Sequence, residues 1–269
     1  MSAARLASRI KPVVVLKAGR SEAGARAAAT HIDPVAGADA VFDAAFRRAG
    51  MLRVATMAEL FDAAETLTLT REQAGDRVAI LTNSGGVGIL ATDTLVAAGG
   101  QMAELSQETL QELDRRLPAT WSHGNPIGIA GDSWGTGYRY ALAALIRDPG
   151  VDAIMVLNCP TALARPDEAA RAVIDAIGAA EPGALRGRNV ITAWLGEHSA
   201  RTARQLFAEA RIATYETPDD AVTGLMHRMR YRRNRELLME TPAARPDEFS
   251  PNVAAVRRVI ATALAEGKS

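Results

Sequence analysis

The chain has 269 residues, of which 48% are hydrophobic, 23% charged and 4% aromatic, and its formal net charge is zero. This composition is typical of a globular protein with one large or two small domains, and the lack of excess basic charge argues against nucleic-acid binding. No apolar stretch reaches the roughly 20 residues of a membrane span. The only cysteine, Cys159, excludes an intrachain disulfide and predicts a cytoplasmic protein.

The first 72 residues contain too few strands for a complete doubly wound sheet. We therefore expect residues 1–72 to be the C-terminal part of a domain whose first half lies outside this sequence. A polar stretch, 70–76, marks the junction with the next domain. The predicted elements of this part are a strand over 11–17, a helix over 38–49, a strand over 52–54 and a helix over 57–66.

Residues 76–235 alternate short β-branched runs with Ala-rich segments of helical spacing. Continuous apolar strands between amphipathic helices predict a parallel sheet covered on both faces. The fold class is therefore α/β, a flavodoxin-like doubly wound parallel sheet preceded by part of a second such domain. Residues 236–269 are predicted to be a linker followed by a helix. Within the sheet domain the predicted strands are 78–81, 153–157 and 190–194, and the predicted helices are 88–98, 106–117, 139–147, 166–180 and 200–210.

A glycine-rich turn directly follows the predicted strand 78–81. A helix beginning near Gly88 would direct unpaired N–H groups and the positive end of its dipole at this turn, which favours binding of phosphate or another anion. We expect Gly86 to need a positive φ or a close approach to the ligand. The alternative is an ordinary strand-to-helix turn, and the sequence lacks the Lys-Ser/Thr pair of a Walker A loop. The predicted phosphate-binding residues are Asn83, Ser84, Gly85, Gly86, Val87 and Gly88.

A second candidate is His31, which lies in a loop rich in small residues after the strand over 11–17. A neutral imidazole can attack phosphorus, so this residue is the candidate catalytic group, with a solvated surface histidine as the alternative. The three other histidines lack metal-ligand spacing and are interpreted as structural or solvated, and no metal site is predicted. They are His123, His198 and His227.

Two further features have plain interpretations. Cys159 follows a predicted strand end and is interpreted as a buried structural thiol. The arginine-rich segment 228–235 is interpreted either as a solvated helix face or as a contact between domains.

Taken together, the segments resemble the NDP-forming acyl-CoA synthetases, the superfamily of succinyl-CoA synthetase. The resemblance extends from segment 11–50 through the turn at 82–93 and the pair Asn125-Pro126 to segment 215–222. It implies an acid–CoA ligase that interconverts acyl-CoA, NDP and phosphate with a carboxylic acid, CoA and NTP. It also implies that His31 carries the phosphoryl group, and that the turn Asn83–Gly88 begins one of the two helices on which the phosphohistidine rests.

The resemblance further implies CoA, ATP or ADP, and Mg²⁺ as cofactors of the full-length protein. CoA-binding and ATP-grasp domains outside this sequence would contact the chain, and acyl-CoA, phosphate and nucleotide would be its small-molecule partners. A homo-oligomer is compatible with the family, whereas a nucleic-acid or membrane partner is not expected. Segments 194–197 and 231–242 are similar to the branch that is fused to a GNAT acetyltransferase.

Three residues depart from the family pattern. Asp33 replaces a glycine of the histidine loop, Pro34 restricts the residue before it, and Gly128 replaces an aspartate that commonly follows the Asn-Pro pair. Retention of His31 favours a catalytic part of a synthetase. The departures favour a non-catalytic module that senses CoA or nucleotide for a fused acetyltransferase. A flavodoxin-like electron carrier also fits the fold, but nothing supplies aromatic stacking around a flavin.

Overall fold

The computed structural model describes residues 2–30, 39–129, 134–162, 165–240 and 252–265. The chain divides into two compact units, residues 1–239 and residues 240–269. The described part of the second unit contains one helix, Val253–Ala265. None of the described helices combines the length and the apolar character needed to cross a membrane.

The elements alternate between helices and short strands through most of the chain. In chain order they are α1 Ser2–Ile10, β1 Val14–Leu16, α2 Glu22–Ala29, α3 Asp39–Arg48, β2 Leu52–Val54, α4 Met57–Leu69, β3 Arg77–Thr82, α5 Gly85–Ala97, β4 Gln101–Met102, α6 Gln107–Arg116, β5 Ile127–Gly128, α7 Trp134–Arg147, β6 Ala153–Asn158, α8 Pro166–Gly178, β7 Asn189–Trp194, α9 Arg201–Glu209, β8 Thr214–Tyr215, α10 Pro218–Met239 and α11 Val253–Ala265.

The first part of the chain forms a small parallel sheet of two strands. β1 and β2 pair with Val14 opposite Leu52 and Leu16 opposite Val54. The predicted strand at 52–54 is confirmed, and the strand expected over 11–17 is confirmed in its central three residues. Thr56 caps α4 by accepting a hydrogen bond from the main-chain N–H of Glu59 (3.1 Å), which sets the point at which this helix begins.

The second part forms a six-stranded sheet in which every described strand pair is parallel. Its order is β4-β3-β6-β7-β8, and β5 also pairs with β3. One apolar cluster, which includes Leu142 and Phe207, covers one face, and a second cluster, which includes Leu95 and Leu225, covers the other. Burial on both faces explains why the central strands are continuously apolar, and it confirms the flavodoxin-like doubly wound sheet.

A side chain replaces a strand along one edge of β3. β4 pairs with β3 only at Arg77 and Val78, and β5 pairs with it only at Leu81 and Thr82. Asn125 fills the interval between them. Its Oδ1 accepts from the N–H of Ile80 (2.9 Å), and its Nδ2 donates to the carbonyls of Val78 and Ala103 (2.9 Å each). The amide thus gives the buried N–H of Ile80 its acceptor, and it adds a second donor to the Val78 carbonyl, which also accepts from the N–H of Ala103 (2.8 Å).

The long helix α10 packs against both sheets. It contacts α5 beside the six-stranded sheet, and α4, α3 and β2 in the first part of the chain. Its Tyr231 joins an apolar cluster that contains Leu52 and Val54, and Asn234 Nδ2 donates to the carbonyl of Met51 (2.7 Å). The two-stranded sheet therefore completes its core with a helix that comes after the second sheet in sequence.

The arginine-rich segment lies on α10 and makes ion pairs with the junction between the two parts. Arg232 and Arg233 each place an Nη2 atom 2.8 Å from Asp76 Oδ2, at the end of the junction that precedes β3. Arg228 is buried, and burial lowers its pKa, with Tyr231 and Glu72 partly offsetting this effect. Burial of Arg228 argues against a fully solvated helix face, and Arg235 pairs with Glu72, so the segment contacts the boundary between the two domains.

The interface between α10 and α4 contains a buried histidine. His227 is 1% exposed, its Nδ1 has no hydrogen-bond partner among the described residues, and its Nε2 lies 3.8 Å from Glu59 Oε2. Burial lowers the pKa of His227 below its usual value of 6.5; the nearby carboxylate of Glu59 raises it and Arg230 lowers it further. The folded protein therefore favours the neutral imidazole.

This predicts a loss of stability in mild acid. Above pH 6.5 the imidazole is neutral in both the folded and the unfolded chain, so it adds no pH dependence. As the pH falls below 6.5 the unfolded chain binds a proton that the folded chain resists, and the free energy of unfolding should fall by at most about 1.4 kcal/mol per pH unit. Urea unfolding of wild type and His227→Gln between pH 7.5 and 5.5 measures this difference. The matched control is the exposed His198→Gln, and an unchanged pH slope in His227→Gln would contradict the assignment.

Candidate functional site

The glycine-rich turn joins β3 to α5 at the carboxyl edge of the six-stranded sheet. α5 begins at Gly85, three residues before the predicted start near Gly88, so only Asn83 and Ser84 lie between strand and helix. The prediction was wrong because glycines with low helix propensity were assigned to the loop, although they form the first helical turn. The carboxyl edge is where ligands bind in doubly wound sheets.

The first turn of α5 offers unpaired donors. Ser84 makes no side-chain cap, and its own N–H donates to Thr82 Oγ1 (3.1 Å). The first intrahelical bond runs from Gly88 N–H to the Ser84 carbonyl (3.0 Å). The N–H groups between these two points have no intrahelical acceptor. With the positive end of the helix dipole they suit an anion such as phosphate. These donors belong to Gly85, Gly86 and Val87.

The glycines of the turn have different physical roles. Neither Gly85 nor Gly86 has a positive φ, and a Cβ at either position would meet nothing within 4 Å. Gly86 therefore does not need a positive φ, whereas the other half of that expectation, a close approach to the ligand, stays a prediction. These two glycines leave open space above the helix end. A Cβ at Gly88, by contrast, would lie 3.0 Å from Thr82 Cγ2 and 3.2 Å from Pro126 Cβ. Gly88 allows the helix to pack closely on the sheet.

Asn83 is a clamp between two strand ends. Its Nδ2 donates to the carbonyl of Cys159 (2.9 Å), and its Oδ1 accepts from the N–H of Cys159 (2.8 Å). Cys159 comes directly after β6, the neighbour of β3, so one side chain ties the carboxyl ends of both strands together. The thiol of Cys159 is half-buried, with its Sγ 3.8 Å from the Pro160 carbonyl.

A buried hydroxyl lies beneath this clamp. Tyr138 of α7 is 2% exposed, and its hydroxyl donates to the carbonyl of Leu157 (2.8 Å) while it accepts from Asn158 Nδ2 (3.1 Å). Burial raises the pKa of Tyr138, and hydrogen bonding from Asn158 and from the main chain of Asn83 partly offsets the shift. The phenol is therefore neutral, and it holds the last two residues of β6, next to Cys159.

Sequence reasoning missed Tyr138 and Asn158, and it noted Asn125 only as part of a family motif, without its hydrogen bonds to β3. Asn158 had a usable signal, since it is a polar residue at the carboxyl end of an otherwise apolar strand. Tyr138 had none, because one tyrosine within a helix is equally consistent with ordinary core packing.

The structure describes three of the four histidines. His31, Asp33 and Pro34 lie outside the described residues. The Nδ1 atom of His123 lies 2.9 Å from Asp114 Oδ1, and its Nε2 atom lies 3.1 Å from the Ala119 carbonyl. Neither partner belongs to the glycine-rich turn. Among the residues that the structure describes, no group of three or more His, Cys, Asp or Glu side chains could hold a metal ion.

Two protein families match the chain in sequence order. Residues 1–67 match the succinyl-CoA ligase-like flavodoxin domain, and residues 78–239 match the Ligase-CoA domain. The alpha subunit of ADP-forming acetate–CoA ligase I from Pyrococcus furiosus is 37% identical over 225 residues, which cover 84% of this chain and 48% of that protein. ADP-forming acetate–CoA ligase I from Archaeoglobus fulgidus is 33% identical over 231 residues, 86% of this chain and 32% of that protein.

A solved structure of a similar enzyme also matches most of the chain. The dinucleotide-forming acetyl-coenzyme A synthetase 1 of Ca. Korarchaeum cryptofilum, in complex with phosphate and ADP, matches 91% of this chain and 52% of its own, with a TM-score of 0.82 and 33% identity. The chain spans about half the length of this structure, and half or less of the Pyrococcus and Archaeoglobus relatives.

Gly86 and Gly88 of α5 should respond oppositely to substitution. Gly88→Val should lower the free energy of unfolding by about 2 kcal/mol, because its side chain would collide with Thr82 and Pro126. Gly86→Ala should raise it by roughly 0.5 kcal/mol, because alanine restricts the unfolded chain and meets no neighbour in the fold. Urea unfolding of both variants against wild type measures the difference. Equal stability of all three proteins would show that the helix start is placed wrongly.

Proposed function

Because the chain belongs to the ADP-forming acid–CoA ligase family, we propose that it is the phosphoryl-transfer part of an enzyme that interconverts acyl-CoA, NDP and phosphate with a carboxylic acid, CoA and NTP. The observation that carries the proposal is the first turn of α5, where three main-chain N–H groups without intrahelical acceptors face the carboxyl edge of the Ligase-CoA domain. A phosphoryl group in transit needs such a site, since its charge must be stabilised without being held permanently.

In this proposal His31 is the catalytic residue. Its neutral imidazole attacks the phosphorus of an acyl phosphate or of a nucleotide γ-phosphate, an N–P bond forms, and the carboxylate or the nucleoside diphosphate leaves with the electron pair of the broken P–O bond. The N–H groups of Gly85, Gly86 and Val87 would then stabilise the phosphoryl oxygens. Reversal onto the other acceptor completes the transfer.

The remaining components belong to other parts of the whole protein. We propose that CoA binds to a CoA-binding domain, and that ATP or ADP with Mg²⁺ binds to an ATP-grasp domain, each in contact with this chain. In that domain the metal ion would neutralise the nucleotide phosphates. The similar Ca. Korarchaeum cryptofilum structure contains phosphate and ADP, which supports these ligand classes.

A second candidate function is a non-catalytic module that senses CoA or nucleotide for a fused GNAT-type acetyltransferase. The observation that favours it is Gly128, which ends β5 at the same carboxyl edge as the turn and supplies no carboxylate. A Cβ at this position would lie 3.6 Å from Ser122 Cβ, an ordinary contact, so lack of space does not explain the glycine.

Phosphate labelling of the full-length protein tests the proposal. With ATP and Mg²⁺, or with acyl-CoA and phosphate, the protein should carry acid-labile, base-stable phosphate on His31, because imidazole is the nucleophile. His31→Ala should abolish both the label and acyl-CoA formation. The matched control is His198→Ala, an exposed histidine outside the turn, which should leave both unchanged.

The Asp33 carboxylate lies two residues from this histidine in sequence and should repel the phosphate by roughly 1 kcal/mol. Asp33→Gly should therefore raise the labelled fraction about fivefold where labelling is incomplete. If neither wild type nor Asp33→Gly labels with either donor, the catalytic proposal fails and the sensing module replaces it.

A further inference from the structure

We infer that Tyr138 is a positioning residue for the anion-binding turn: its hydroxyl, together with the Asn83 clamp, fixes the direction in which the first N–H groups of α5 point. This inference rests on the proposed function, because it assigns a cause to the geometry of the same site. Tyr138 does not act on the ligand itself, since its hydroxyl is buried and its hydrogen bonds go to Leu157 and Asn158.

The hydroxyl is held in place from several sides. The ring of Tyr138 lies 5.9 Å from that of Trp194, which is fully buried and in turn packs edge-on against Phe207 at 4.7 Å. From this fixed position the hydroxyl donates to the Leu157 carbonyl at 2.8 Å and accepts from Asn158 Nδ2 at 3.1 Å. Close packing of the ring leaves the hydroxyl little freedom to move.

Asn83 links the end of β6 to the start of α5. It is the first residue after β3, and it contacts Cys159, the residue that directly follows the Leu157-Asn158 pair held by the Tyr138 hydroxyl. Its side chain makes two hydrogen bonds to the main chain of Cys159. The end of β3 is thereby tied to the end of β6 by the Asn83 side chain, and α5 begins two residues later.

The other residues of the turn do not perform this task. Ser84 makes no side-chain cap, and Gly85 and Gly86 have no side chains that could wedge the helix against the sheet. Loss of the Tyr138 hydroxyl would leave the Leu157 carbonyl and the Asn158 amide short of a partner in a buried place. The strand ends would shift, or water would enter, to satisfy these groups, and either change would turn the N–H groups away from the bound anion.

The test uses the 269-residue chain and inorganic phosphate as the probe. Phosphate is titrated into wild type, Tyr138→Phe and Tyr140→Phe, and the amide signals of Gly85, Gly86 and Val87 are followed by NMR. Tyr140 lies two residues along the same helix, is half-exposed, and its ring stacks with Arg116 at 4.9 Å. Its hydroxyl makes no hydrogen bond to the described residues, so Tyr140→Phe is the matched control.

We expect Tyr138→Phe to bind phosphate roughly tenfold more weakly than wild type, the scale of one lost buried hydrogen bond. Tyr140→Phe should bind as wild type does. All affinities are measured where unfolding curves show each protein to be fully folded, so that a purely structural role of the hydroxyl would lower the unfolding midpoint and leave the affinity unchanged. If Tyr138→Phe fails to fold, Asn83→Ala removes the clamp at a half-buried position and should weaken binding similarly.

The outcomes separate the inference from the proposed function. Suppose that wild type binds phosphate at these amides and that Tyr138→Phe, or Asn83→Ala in its place, binds equally well. This result would overturn the positioning role and leave the proposed function standing. Wild type whose three amides do not respond to phosphate would remove the anion site, and the positioning role with it. Weaker binding in Tyr138→Phe with unchanged binding in Tyr140→Phe would support both.

Discussion

The hydrogen bonding of β3 along both of its edges is the constraint on which most of this fold depends. One edge pairs with β6 over five residues, and the other is shared by β4, Asn125 and β5. With both edges satisfied, the strand can be buried completely, and Val78, Ile80 and Leu81 are each 0% exposed. Its carboxyl end then becomes a fixed point in the molecule. The turn and α5 are built on that point.

A second dependence links the two parts of the chain. The two-stranded sheet is too small to bury its own apolar surface, and Tyr231 and Asn234 of α10 supply the missing contacts. The same helix packs on α5 through the apolar cluster that contains Leu225 and Leu95. Substitutions on α10 should therefore disturb the packing of both parts of residues 1–239, although those parts match different families.

Much of the fold could be predicted because its signals are local. Buried parallel strands are continuous apolar runs, and the segments 78–81, 153–157 and 190–194 all lie within observed strands. The start of α5 was predicted wrongly because propensity assigns glycine to loops, whereas the preceding strand end determines where this helix begins.

The glycine-rich turn between β3 and α5 could be found from its glycines, but the residues that support it could not. Asn125 acts by lying between strands that are distant in sequence, and Tyr138 acts through residues about 20 positions away. Such roles depend on tertiary placement and leave no pattern in a single sequence. The role of His31 stays a prediction, since that residue lies outside the described part of the chain.

The edges of the six-stranded sheet have a consequence for how the protein behaves at high concentration. At one edge lie β4 and β5, and at the other lies β8, and each of these strands has only two residues. A long, flat outer strand would expose a row of free N–H and C=O groups on which another copy could extend the sheet. Asn125 makes main-chain hydrogen bonds that a longer outer strand would otherwise make. The central strand β3 is therefore hydrogen-bonded, while the outer strands remain too short for another copy to pair with them. The amide that closes the sheet thus also helps to protect the protein against edge-to-edge aggregation.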